Sequence, residues 1–470
     1  MTDAPSPLKT YRARWVWSAE RWWEDARVTV AGRQIVSVGT ERLAGEIDLG
    51  DCVILPGLVN AHTHLEFSGL TAPLPYDKTF ASWIRNVVVW RRGEMAASAR
   101  QAIERGLAES AQAGVTLLGE IATRGIGFQP VLPDEEMTGW KPIPRSDSSD
   151  GSPWDTPAAL DMSDCHLTSP PSRSPQLVVF REVLGLKPDA IQPQMADACR
   201  HLTVGAACRR EGEAPAQPRE GEIAASQPRL GGSLALPSLA LPTNDWSPNW
   251  TAGLSPHAPY SLSRELFSKV LDLAKQSRCP VAMHLAETRE ELELLATGTG
   301  PLAELFTEWG LWSTGQRAAF RSPWEVLQQL SSLPRVLVIH GNYLTPEELD
   351  FLTGKDQFSV VYCPRTHSYF QHDRYPLAEL LKRGIRVALG TDSRASNPDL
   401  NLLSEVRHVA QQHPEIAPTM LLEMATSHGA EALGLGHSVG CIAPGMRADL
   451  CVLPIPPGIR DPFEAVLAPN

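Results

Sequence analysis

The 470-residue sequence has no CxxC pair and no regular spacing among its eight cysteines, at positions 52, 165, 199, 208, 279, 363, 441 and 451. That argues against a zinc ribbon or a disulfide scaffold and points to free or buried thiols of a reducing compartment. No apolar run approaches the length that spans a bilayer. The opening segment, MTDAPSPLKTYRAR, carries no apolar h-region, so no secretory signal is expected. Basic residues are not in excess: the formal net charge is −12 at pH 7. No cationic stripe is therefore available to release counterions from a nucleic acid. With 43% apolar and 20% charged residues, the chain reads as a cytoplasmic globular protein with a small-molecule substrate. No nucleic-acid or membrane partner is expected, and a homo-oligomer is.

What is present is a change of texture. Residues 11–55 hold short alternating or aromatic runs (Tyr11–Trp17, Ala26–Val30, Gln34–Val38) that read as a small antiparallel sheet. From residue 56 onward, apolar strands alternate with amphipathic stretches, as in parallel βα units. The strand candidates are Leu58–His64, Val115–Glu120, Leu177–Leu184, Trp250–Pro256, Val281–Glu287, Val336–Gly341, Ser359–Cys363 and Arg386–Asp392. Helical stretches between them include Glu94–Ala113, Arg264–Ser277, Glu291–Trp309, Pro346–Leu352 and Pro376–Arg383. This rhythm predicts an α/β protein, a (β/α)8 TIM barrel with its active site at the C-terminal strand ends. The stretch VGCIAPGMRADLCVL from Val439 returns to short β runs. The expected organisation is a β-sandwich domain from residues 1–55 plus 435–470 and a barrel over 56–434. Flexible inserts are expected at 133–174, rich in Pro, Ser and Asp, and at 210–249, where REGEAPAQPR is echoed by EGEIAASQPR.

The strand ends carry the chemistry. In LPGLVNAHTHLE, His62 and His64 lie two residues apart, so on a strand both imidazoles point the same way. Alone, such a pair is more often structural. However, VAMHLAE ends in His284 and Glu287, VLVIHGN in His340, and VALGTDS in Asp392. Burying so many ionisable groups at one rim costs several kcal/mol apiece unless an ion compensates. His62, His64 and His284 are expected as nitrogen ligands and Asp392 as the oxygen ligand of one divalent metal, Zn2+ or alternatively Fe2+. Such an ion lowers the pKa of its water toward about 7. Glu287 lies three residues past His284, so the chain must turn after Leu285 to bring it into the site as a general acid/base.

The chain resembles the amidohydrolase superfamily, in its cytosine deaminase/chlorohydrolase-like branch. The motifs that carry the resemblance occur in order as PGLVNAHTHLE, GLSPHAPYSLS, AMHLAETREE, VIHGNYL, YCPRTHSYF, LGTDSRASNPDLNLLSEVR and PGMRADLCVL. The resemblance implies a (β/α)8 barrel with a β-sandwich from both termini and a mononuclear metal. It implies that Glu287 shuttles a proton to a ring nitrogen and that His340 orients the hydrolytic water. It further implies that Asp392 takes the water proton while ligating, and that His257 contacts substrate. Binuclear relatives bridge their metals through a strand-four lysine or acid; here that strand reads WTAGLSPHAPY, which favours one metal.

Other positions have plainer readings. Trp83 is expected in the substrate pocket wall, with a core position the alternative. His367 and His372 are read as surface or substrate-side residues of a mouth loop. His428 is read as structural, near the terminal sheet, and Glu66 as a support for a ligand histidine or a substrate contact. Arg85, Arg181, Arg365 and Arg394 sit near strand ends. Arg394, two residues past Asp392, suggests a substrate with an anionic substituent; internal salt bridges are the competing reading. The expected activity is hydrolytic deamination of an amino-substituted heteroaromatic ring, purine, pyrimidine or nucleoside-like, with release of ammonia. The alternatives are hydrolysis of a ring C–Cl bond or a cyclic amide, and a catalytically silent metal-binding scaffold.

Overall fold

The computed structural model describes residues 7–93, 95–123, 175–212 and 250–468. Strands β1 (Leu8–Ser18), β2 (Arg21–Ala31), β3 (Gln34–Gly39), β4 (Ile47–Asp48) and β5 (Cys52–Pro56) come first. The barrel strands follow: β6 (Leu58–Thr63), β7 (Val115–Ala122), β8 (Gln176–Val183), β9 (Trp250–Pro256), β10 (Val281–Leu285), β11 (Val336–His340), β12 (Phe358–Tyr362) and β13 (Val387–Leu389). β14 (Leu450–Pro454) returns to the first sheet. Helices α1 (Phe80–Gly93) and α2 (Met95–Gln112) lie between β6 and β7, and α3 (Ile191–Gly212) between β8 and β9. Next come α4 (Arg264–Ser277), α5 (Arg289–Thr297) and α6 (Pro301–Glu308).

β6 to β13 form one eight-stranded sheet in sequential order, parallel at every pairing. β10, β11 and β12 (VAMHL, VLVIH, FSVVY) are buried at every residue, as strands covered on both faces must be. Val59, Ala61, Leu117, Phe180, Leu337 and Val361 belong to one core cluster. The sheet closes at a parallel bridge between Thr63 and Asp392. There the amides of Thr391 and Asp392 both donate to the His62 carbonyl, each at 3.1 Å. The chain is a (β/α)8 barrel whose closing seam runs through two of the candidate metal ligands.

Beyond three strands the backbone takes the left-handed conformation at non-glycine residues: Ala286 (φ 52°), His340 (φ 66°) and Asp392 (φ 55°). Such positions cost about 1–3 kcal/mol each and persist only where surrounding structure enforces them. Each redirects the chain at the C-terminal rim of the barrel.

The expected helix over 291–309 is two helices, α5 and α6. Gly298 (φ 77°) and Gly300 (φ 99°) break it, and Pro301 starts the second at a position where its missing N–H costs nothing. The termini build a separate sheet domain of six strands, β14-β5-β1-β2-β3 with β4 beside β1, drawn from both ends of the chain as expected. Its unity follows from β1, which pairs β2 along ten residues and holds β4 and β5 on its other edge. The expected insert 133–174 lies outside the described residues, as does 210–249 apart from the last three residues of α3. Among the described residues, no helix is long and apolar enough to cross a membrane.

Candidate active site

The barrel rim assembles the site from four strand ends. His62 and His64 come from β6 and the residue after it, His284 from β10, His340 from β11, and Asp392 from the turn after β13. Nitrogens of His62, His284 and His340 lie within 4.8 Å of one another, as do ligand atoms of His62, His64 and Asp392. Nε2 of His62 stands 3.6 Å and Nε2 of His64 3.7 Å from Asp392 Oδ1, too long for good hydrogen bonds. Both ring nitrogens of His62 and Nδ1 of His64 are buried without any hydrogen-bond partner. Orphaned buried groups of this kind are costly. A cation among them removes the cost, so the donor set fits a divalent metal held by nitrogen and carboxylate.

Supporting contacts fix the donors. His284 Nδ1 meets the His257 carbonyl at 3.1 Å; since Nδ1 must carry the proton there, Nε2 keeps its lone pair for a metal. Burial, with His62 and His284 nearby, pushes the His64 imidazole well below its ordinary pKa. Burial does the same to His284 and His340, so these rings stay neutral. Burial opposes ionisation of Asp392, but His62, His340 and the Ser396 hydroxyl hold it below the usual carboxylate range. Ser396 Oγ donates to Asp392 Oδ2 at 3.1 Å.

Glu287 enters as the turn after Leu285 requires. Ala286 takes the left-handed bend, and Glu287 Oε1 then lies 3.5 Å from His340 Nε2. Burial, reinforced by Asp392 and Glu291, raises the Glu287 pKa well above its ordinary value, which favours the protonated acid. His340 is held by its backbone, its carbonyl accepting from the Tyr375 hydroxyl at 2.9 Å.

These groups open on a cavity of about 250 Å³. His64, His257, His284, Glu287, His340 and Asp392 line one end. Phe80, Trp83, Ile84, Val87 and Val88 of α1, with Phe306 of α6, line the other. Trp83 is thus on the wall, its indole N–H bonded to the Ala395 carbonyl at 3.2 Å. His257 is on the wall too, with Nδ1 at 2.8 Å from Ser261 Oγ and Nε2 facing Glu182 Oε1 at 3.8 Å.

Arg394 is elsewhere. It does not line the cavity, and its guanidinium bonds both oxygens of Glu109 on α2 at 3.0 and 2.8 Å. The left-handed turn at Asp392 sends the chain outward, so two residues on the side chain meets α2. Arg85, Arg181 and Arg365 are likewise paired with acids, Glu308, Asp197 and Glu405. The competing reading, internal salt bridges, describes all four, and the basis for an anionic substituent at Arg394 is gone. His367 is buried in a short helix against Tyr362 and Tyr375, and neither it nor His372 lines the cavity. His428 bonds the Val387 carbonyl at 3.0 Å; its structural role is at the barrel, not the terminal sheet. Glu66 is buried and pairs with Arg91.

Arg91, Thr123 and Glu182 line the cavity and were not among the expected site residues. A signal for Arg91 existed: 84, 87, 88 and 91 share one helical face. Glu182 and Leu184, the residue just past β8, similarly point to one side by period two. Burial opposes the Glu182 charge, but His257, Arg91 and Thr123 hold its pKa down.

Residues 247–467 match the model of the amidohydrolase family. A 5-methylthioadenosine/S-adenosylhomocysteine deaminase of Pelotomaculum thermopropionicum is 33% identical over 210 residues, 43% of this chain and 44% of the relative. A 5′-deoxyadenosine deaminase of Methanothermobacter thermautotrophicus is 31% identical over 208 residues, 43% and 44% of the two chains. The chain thus aligns with less than half the length of these relatives. Among solved structures, Helicobacter pylori aminofutalosine deaminase in complex with methylthio-coformycin superposes with TM-score 0.70 at 21% identity, covering 98% of this chain and 95% of that one. Atrazine chlorohydrolase from Arthrobacter aurescens, complexed with zinc, gives 0.64 at 19% identity, covering 98% and 91%. At such identities the likeness speaks for the fold. The segment that matches the amidohydrolase family model, 247–467, is just under half of the chain; it contains β9 to β14 and with them His257, His284, Glu287, His340 and Asp392.

Proposed function

We propose that the protein is a metal-dependent aminohydrolase that removes the amino group of a heteroaromatic ring in a purine nucleoside-like substrate and releases ammonia. The observation that carries this is the convergence on His62 of two sets of donors, His64 and Asp392 on one side and His284 and His340 on the other, beside Glu287, whose carboxyl faces His340. The named activities of the adenosine-type deaminase relatives support the substrate class. His62, His64, His284 and Asp392 would hold one divalent ion, and the zinc of the atrazine chlorohydrolase neighbour supports Zn2+. When bound, that ion supplies Lewis acidity and a nucleophilic water at neutral pH.

The chain's own residues do the rest. Glu287 holds a proton at its carboxyl and delivers it to the ring nitrogen next to the C–NH2 carbon, which makes that carbon electrophilic. Asp392, ionised and 3.1 Å from Ser396 Oγ, accepts one proton of the attacking water and passes it to the amino group, which leaves as ammonia, while the second water proton returns to Glu287 as the ring carbonyl forms. His340, whose carbonyl is held by the Tyr375 hydroxyl, orients the attacking water. Trp83, Phe80 and Phe306 exclude water from the apolar end, while His257 and Glu182 offer polar contacts to the substrate.

Glu287→Gln tests the assignment. Ammonia release from adenosine-type nucleosides should fall by about 10³-fold or more, since a positioned acid/base contributes about 10²–10⁴, while metal content by elemental analysis stays unchanged. Ammonia release that survives the substitution refutes the role. Stoichiometric metal with no ammonia from nucleosides or aminopurines, and chloride released from chlorotriazines, would assign the machinery to C–Cl hydrolysis instead.

A further inference from the structure

Two consecutive acids, Glu290 and Glu291, sit in the first turn of α5, three and four residues beyond Glu287. Their carboxylates serve different parts of the site. Glu291 is fully buried and accepts from the amides of Ala286 at 3.0 Å and Glu287 at 2.8 Å. Its own amide is capped by the Thr288 hydroxyl at 3.0 Å. It thereby holds the left-handed turn that aims Glu287 at His340.

Glu290 reaches across to α1. Its two oxygens accept from the amides of Phe80 at 2.7 Å and Ala81 at 3.0 Å. Helix N-termini leave amides without intrahelical partners and favour negative charge, and α1 has no acid in its own first turn. A carboxylate from 210 residues away in sequence supplies both needs. The helix so anchored provides Phe80, Trp83, Ile84, Val87 and Val88, most of the apolar end of the cavity. A second tie of α1 in this region, Arg85 to Glu308, is an ion pair whose members are a third and a half exposed, and such pairs hold weakly.

We propose that Glu290 and Glu291 form a two-carboxylate clamp joining the apolar wall α1 to the catalytic acid Glu287. Glu290 is in this role a positioning residue that determines specificity for substrates with an apolar substituent beyond the ring. Contact of such a substituent with Phe80 and Ile84 seats the first turn of α1 on Glu290. One rigid turn of α5 carries that constraint to Glu291 and to the backbone of Glu287. A substrate without the substituent meets less of α1 and draws less on the clamp. The inference rests on the ring-deaminase reading for its substrates, but the hydrogen bonds it invokes are independent of that reading.

The test compares Glu290→Ala, Glu290→Gln and Glu291→Gln with the wild-type holoenzyme on adenosine and on a 5′-alkylthio-adenosine, alongside amide hydrogen exchange of residues 80–84. For Glu290→Ala, KM for the alkylthio substrate should rise about tenfold, in the range a lost helix cap produces, with a clearly smaller rise for adenosine and kcat little changed. Exchange at 80–84 should speed up by a similar factor, and Glu290→Gln, which keeps one acceptor, should restore part of both. Glu291→Gln should lower kcat for both substrates with little change in KM. Equal losses on both substrates for Glu290→Ala, or unaltered exchange at 80–84, overturn the clamp. If the wild type releases no ammonia from either nucleoside, the deaminase reading fails, and the exchange measurement alone decides whether Glu290 anchors α1.

Discussion

Gly390 stands between β13 and Asp392, at the seam where the barrel closes. A Cβ added there would lie 2.9 Å from the His62 carbonyl oxygen, 3.0 Å from His62 Cβ and 3.1 Å from Cys363 Sγ. Carbon atoms in good contact sit about 3.5–4.0 Å apart, so Gly390→Ala forces His62 back by roughly half an ångström or opens the seam. The same carbonyl accepts from the amides of Thr391 and Asp392, and weakening these bonds costs about 1 kcal/mol each. Overpacking of this kind costs about 1–3 kcal/mol in total, so a loss of about 2–3 kcal/mol is expected. The larger consequence is local. His62 and Asp392 are two candidate ligands, and disturbing the supports of a metal ligand lowers affinity by about 10–100-fold. The assay is thermal unfolding together with metal retention during dialysis against graded chelator. Gly39→Ala is the control: its added Cβ meets nothing within 4 Å, and its effect should stay within about 0.5 kcal/mol. If Gly390→Ala melts and retains metal as the wild type does, the seam does not set the position of His62.

Three further outcomes are expected. Arg394→Ala should cost about 1 kcal/mol, because its partner Glu109 and the pair itself are partly exposed. It should also leave the preference between carboxylated and neutral substrates unchanged in competition assays; a changed preference would return Arg394 to the substrate. Tyr375→Phe removes the hydroxyl that holds the His340 carbonyl, and kcat should fall while KM stays near wild type in steady-state kinetics. Asp399 bonds Arg365 Nη1 at 3.0 Å; burial opposes its charge, but the Arg365 bonds bring its pKa below the usual value. A depressed folded pKa contributes stability above the unfolded value of about 3.9 and loses it as pH falls further. The melting gap between wild type and Asp399→Asn should therefore be full at pH 7 and narrow below about pH 4; a gap constant down to pH 3 would contradict the pairing.

Much of the barrel was legible because parallel strands buried on both faces must be apolar throughout. The eight expected strands are the eight observed, displaced by at most a few residues at their ends. The split of 291–309 was also written locally, in Gly298, Gly300 and Pro301, but helical periodicity continues across the break and masks it. Arg394 shows a different failure. Sequence distance from Asp392 suggested nearness to the substrate, and one left-handed residue reverses that inference. Arg91 and Glu182 were on the correct faces of their elements, but only the tertiary arrangement that brings both to one cavity makes those faces its wall.

The sequence by itself determined the donor chemistry: two histidines at period two, further histidines and an aspartate at strand ends, and an acid three residues past His284. Strand geometry and the cost of burying unpaired polar groups suffice to read that much. Tertiary structure alone decided which charges are free to act. Whether an arginine faces substrate or a neighbouring acid, and which carboxylate caps a helix 210 residues away, depend on pairings between distant segments. No local propensity encodes those pairings, because each is settled only when the barrel closes and its helices compete for the same partners.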